Sequence, residues 1–73
     1  MSKQEWNYKY QLTRNNIFQL DYMIKVNQKK LNTFLNPWLK EEIIKKIQRF
    51  KSFKKMYELQ LKQLENLKKY GEI

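Results

Sequence analysis

The chain has 73 residues, with 16 Lys and Arg against 7 Asp and Glu, for a net charge of +9. A chain this short makes one domain at most and buries a marginal core unless stapled or partnered. It has no cysteine and no histidine, which excludes disulfide staples and zinc sites of the usual ligand sets. Alanine is absent, glycine and proline occur once each, and Phe, Tyr, Met, Ile, Asn and Lys supply 39 of the 73 residues. These six have AT-rich codons, so part of the Lys and Asn content reflects nucleotide bias in an AT-rich genome. Bias of that kind does not set 16 bases against 7 acids. The excess points to polyanionic partners.

The first patterned stretch is WNYKYQL, residues 6 to 12, in which Trp6, Tyr8, Tyr10 and Leu12 alternate with polar residues. Strict alternation with aromatics fits a strand. Nothing else in the chain reads as a strand to pair with it, which favours helix. Asn16 with Gln19 has the form of a capping box and offers an alternative helix start at Ile17. From there Ile17, Leu20, Ile24, Leu31 and Phe34 follow helical spacing, with Asn27 as a polar intruder. The first helix is expected over about residues 4 to 35.

Leu35-Asn36-Pro37-Trp38 is the strongest punctuation. Proline excludes the α region for the residue before it, Asn36 can cap a new helix, and Pro37 suits its first turn. A turn is expected at 35–37 and a second helix over about 37–70. Trp38 is expected to cover the turn, with Glu41 and Glu42 complementing the N-terminal dipole. Along this helix Leu39, Ile43, Ile47, Phe50, Phe53, Tyr57, Leu61, Leu64 and Leu67 recur every three or four residues. The pairs Glu41–Lys45, Glu42–Lys46, Glu58–Lys62 and Glu65–Lys69 have the favourable i,i+4 order. Gly71 is a natural residue to follow the helix end.

Folded back at the turn, the two stripes match. Ile17 is set against Phe53, Leu20 against Phe50, Ile24 against Ile47 and Leu31 near Leu39, with Tyr10 near Leu61 and Trp6 near Leu64 and Leu67. The expected fold is all-α: an antiparallel hairpin of two long helices, with a short N-terminal segment that is extended or helical. The helix–helix interface draws on Ile17, Leu20, Ile24, Leu31, Leu39, Ile43, Ile47, Phe50, Phe53, Tyr57, Leu61 and Leu64. Two helices share one line of contact and leave aromatics half exposed, so completion by self-association or by a partner is expected.

An alternating stretch followed by two helical patterns in a short basic chain resembles the ribbon-helix-helix DNA-binding proteins. The resemblance covers residues 6 to 12 and implies a strand whose Asn7, Lys9 and Gln11 read the major groove. The chain departs from that family in the length of both helices and in lacking an evident short capped turn between them.

The run KKIQRFKSFKK, residues 45 to 55, carries six positive charges and no negative one. Lys45, Lys46, Arg49, Lys51, Lys54 and Lys55 are the candidate nucleic-acid contacts, giving affinity and salt dependence with little base specificity. Lys51, Lys55, Lys62 and Lys69 also align, interrupted by Glu58 and Glu65. Solvation of a long helix is the competing explanation, and Ile43, Ile47, Phe50 and Met56 give the weak anchor spacing of a calmodulin target. Ile47-Gln48 opens like an IQ motif, but Ser52 stands where that motif needs a base. Catalysis has no footing: Ser2 and Ser52 have no base beside them, no glycine-rich loop exists, and Glu41 and Glu42 diverge on a helix. No enzyme, cofactor or metal is expected. The longest apolar run, Tyr22-Met23-Ile24, is far too short to span a bilayer or to form the core of a signal peptide. The expected protein is soluble and intracellular, cytoplasmic before organellar. It acts as a small basic regulatory or accessory factor on nucleic acid. The alternative is a helical subunit or inhibitor docked on a larger ribosomal, respiratory or phage assembly.

Overall fold

A computed structural model describes residues 1–33 and 36–71. It contains two helices, α1 (Lys3–Leu31) and α2 (Pro37–Lys69), packed antiparallel as a hairpin. The Cα trace measures 53 × 14 × 13 Å, with a radius of gyration of 16.5 Å. A compact chain of this length would have a radius near 11 Å, so the molecule is a rod with a high ratio of surface to interior.

The helix ends follow from local chemistry. At the start of α1, Ser2 is extended and its hydroxyl accepts from the Glu5 amide at 3.1 Å, the first half of an S-x-x-E capping box. Residues 6 to 12 lie inside this helix, so the alternating aromatics do not form a strand and the ribbon-helix-helix expectation fails. Period two was met only because both Trp6 and Tyr10 take inward helical positions while Tyr8 and Leu12 stay outside. Asn16 lies within the helix rather than capping it. α1 ends at Leu31, short of the expected residue 35, where Asn32 caps it and its amide reaches the carbonyls of Lys29 and Lys30. Phe34 and Leu35 lie outside the described residues.

Asn36 opens α2 as expected, its side chain accepting from the Leu39 amide at 2.9 Å, with Pro37 in the first turn. Glu41 and Glu42 fall one turn too late to meet the dipole, since the first turn contains no acid and the effect fades beyond it. Trp38 does not cover the turn; it is 67% exposed. At the far end Gly71 takes φ +74°, the left-handed residue that closes the helix, and its amide bonds the Lys68 carbonyl at 3.2 Å.

The seam between the helices follows alternating steps of four and three. In α1 the inward series is Trp6, Tyr10, Thr13, Ile17, Leu20, Ile24, Asn27 and Leu31, every member buried or half-buried. In α2 it is Ile43, Ile47, Phe50, Lys54, Tyr57, Leu61 and Leu64. This is the a/d spacing of a coiled-coil seam. Among the described residues the buried apolar ones are Trp6, Ile24, Ile47 and Leu64, and no side chain is fully buried. Two expected interface members depart from the seam. Phe53 is 45% exposed because the inward step at that level belongs to Lys54, and Leu39 is exposed one turn before the seam begins.

Polar groups in the seam satisfy themselves locally. The Thr13 hydroxyl donates to the Lys9 carbonyl, and the Asn27 amide donates to the Met23 carbonyl, each at 2.7 Å. Trp6 ties the open end of the hairpin. Its indole N–H donates to the Leu64 carbonyl at 2.6 Å, its ring stacks on Tyr10 at 4.7 Å, and the Lys68 ammonium lies 4.6 Å from the ring centroid.

Candidate functional site

The helical phase divides the six cations of the 45–55 run among different surfaces. Lys54 is taken into the hairpin. Its Nζ lies 3.0 Å from one Asp21 carboxylate oxygen and 4.0 Å from Glu58, while Lys25 holds the other Asp21 oxygen at 3.1 Å. Hydrogen bonding from Lys54, then from Lys25, holds the Asp21 carboxyl below its ordinary value. Lys46 and Arg49 meet Lys30 of α1 around a depression of about 230 Å³ floored by Asn27 and Phe50. Lys45 points directly away from the seam, by its position midway between the inward Ile43 and the inward Ile47, two residues from each. Lys51 and Lys55 face the opposite side from Lys46 and Arg49. KKIQRFKSFKK is therefore not a single contact face.

Lys51 and Lys55 instead begin a longer row. With Lys62 and Lys69 they follow one edge of α2, and the seven-residue steps from Lys55 to Lys62 to Lys69 are about 10 Å each at a 1.5 Å rise. All four are exposed. From α1, Arg14 adds its charge on the same side, its guanidinium 5.8 Å from the Tyr10 ring. The acids that interrupt this row are engaged from within the hairpin: Glu58 by Lys54, and Glu65 by the Tyr10 hydroxyl, which donates to it at 3.4 Å. None of the i,i+4 pairs expected within α2 closes to 4.0 Å among the described residues. The sequence hid the Asp21–Lys54 and Tyr10–Glu65 contacts because their members lie more than thirty residues apart along the chain, whereas Lys54–Glu58 is an i,i+4 pair within α2.

The other broad side of the hairpin has a different chemistry. Leu12, Met23, Phe53 and Met56 are exposed there, alternating with Asn16, Gln19, Gln60 and Gln63, and the middle of this side holds no charge. Phe18 and Tyr22 are exposed elsewhere, on the outer and cationic sides.

Comparison with protein-family models, curated proteins and solved structures gives no match. Among the described residues no helix is long and apolar enough to cross a membrane. No group of three or more acidic side chains gathers to hold a metal ion among the described residues.

Proposed function

We propose that the chain is a small non-catalytic binding protein that contacts the phosphate backbone of nucleic acid through the row Lys51, Lys55, Lys62 and Lys69, with Arg14 beside it. The observation that carries this reading is the engagement of Glu58 and Glu65 by Lys54 and Tyr10. It moves the intervening negative charge toward the seam and leaves the lysines of the row as the outward groups. Ammonium groups on flexible stems contact phosphates as point charges, supplying affinity and registration without reading bases. Lys45, Lys46 and Arg49 play a lesser part, since their positions on the helix direct them elsewhere.

The test is binding of labelled duplex DNA and of RNA by three proteins at low salt. Lys55→Gln with Lys62→Gln and Lys69→Gln is expected to abolish binding while preserving helicity. Lys45→Gln with Lys46→Gln is expected to retain it. Equal losses in the two variants would refute the assignment to this row.

A second reading is favoured by the uncharged side, whose exposed Leu12, Met23 and Phe53 are suited to a protein surface. A helical subunit docked on a larger assembly would use that side and leave the lysines solvated.

A further inference from the structure

The uncharged side is wider than a two-helix hairpin requires. An isolated pair needs only the a and d steps, whereas helices of a four-helix bundle carry a third apolar step beside them. Here that third step, one residue before the inward Ile17, Ile24, Lys54 and Leu61 and their repeats, holds Met23 in α1 and Phe53 and Leu67 in α2, with the amides Asn16 and Gln60 between them and Lys9, Lys30 and Lys46 at its ends. The residues one step farther out, Leu12, Val26 and Met56, extend the same surface. Phe53 at 45% and Met23 at 42% exposure therefore sit where bundle core positions belong.

We propose that this side is closed by a second copy of the chain, packed face to face and antiparallel, to give a four-helix bundle. Three observations select a second copy. The central part of the surface, lined by Asn16, Gln19, Met23 and Phe53, has no charge, so two molecules of net charge +9 meet at that centre without opposing cations. Its polar groups are carboxamides, each both donor and acceptor, and so complementary to themselves. Its extent, set by a trace 53 Å long and 14 Å wide, is of the order of the ~800 Å² per partner that a stable interface takes.

Charge also favours one direction. Lys30, Lys46 and Arg49 gather on this side at the turn end, where Glu42 shares the helical phase of Arg49, while at the open end Glu5 shares the phase of Leu12 and offsets Lys9. A two-fold axis along the hairpin would set the cationic cluster against its own copy. An axis across the hairpin sets it against the less cationic open end, where Glu5 offsets Lys9, and keeps the two uncharged centres together. In that arrangement the α1 helices cross near Asn16 and Gln19. The rows of Lys51, Lys55, Lys62 and Lys69 then face outward on opposite sides of the dimer.

The chain has no cysteine, so single cysteines map the contact cleanly. Sedimentation equilibrium on the full chain at high micromolar concentration is expected to give twice 9.2 kDa. Met23→Lys with Phe53→Lys is expected to reduce the mass to that of one chain. Because that variant could also unfold, a second measurement uses Gln19→Cys, at the crossing point, and Gln11→Cys, on the cationic side. Under mild oxidation Gln19→Cys is expected to form a disulfide-linked dimer at least tenfold faster than Gln11→Cys. A single-chain mass for the native protein would overturn the proposal and assign the surface to a different occupant. Equal oxidation rates would overturn it as well.

Discussion

Trp6 closes the open end of the hairpin, and its replacement gives a graded test of how the seam is held. The side chain is 6% exposed, stacks on Tyr10 and donates to the Leu64 carbonyl. Truncating a buried tryptophan to alanine costs about 3–5 kcal/mol. A chain of this length has about 4–11 kcal/mol in total at 0.05–0.15 kcal/mol per residue, so Trp6→Ala is expected to unfold a large fraction of the population. Trp6→Phe keeps a ring against Tyr10 and loses the indole N–H. The Leu64 carbonyl retains its own helical bond to the Lys68 amide, so no acceptor is stranded. The expected cost is then about 1–2 kcal/mol, from one hydrogen bond and part of the buried area. Urea unfolding followed by circular dichroism reads both values, with protein concentration fixed because association adds to apparent stability. Trp38 is exposed in the folded chain, so the blue-shifted tryptophan emission of native protein comes from Trp6 and disappears in both variants. Superimposable unfolding curves for native protein and Trp6→Ala would refute the account of the seam.

The Asp21 carboxyl is held below its ordinary value by Lys54 and Lys25. A depressed carboxyl contributes stability that is fully present above the unfolded-state value, about 3.9, and is lost as pH falls through the folded value. Melts from neutral to strongly acidic pH are expected to show a drop that is smaller in Asp21→Asn. Asn27 is buried in the seam and bonds only its own helix among the described residues. Asn27→Leu is expected to raise the melting temperature by about 4–8 °C per kcal/mol gained, with some loss of uniqueness in register; a lower melting temperature would contradict this reading. Asn36→Ala removes the cap of α2 and is expected to cost about 1 kcal/mol in urea unfolding.

The hairpin was legible because its signals were local or periodic. Asn36-Pro37 announces a helix start whatever surrounds it, and the steps of four and three survive in both halves of the chain. The phase was less legible. Phe53 looked like a core residue because it is aromatic and lies three residues past Phe50. The seam at that level takes Lys54 instead, since Asp21 and Glu58 stand ready to receive its ammonium. The start of α1 near residue 4 was legible, but its cap was not singled out: Ser2 and Glu5 form an S-x-x-E pattern and Asn16 and Gln19 a similar N-x-x-Q pattern, and only the former stands at a helix end. The cationic run was the least legible feature. Six charges in eleven residues look like one surface in the sequence, yet eleven residues make three turns of helix and point in every direction. Which cations share a side follows from the phase of α2, and two of the contacts that decide what is drawn inward, Lys54 with Asp21 and Glu65 with Tyr10, come from the other helix.

The most direct test of the account is the salt dependence of binding between the native protein and a labelled DNA duplex. If one row of four lysines grips the phosphates, log K against log salt is expected to fall with a slope of about −3 to −4. The affinity should also be insensitive to duplex sequence. Absence of binding at low salt, or binding indifferent to salt, would contradict it.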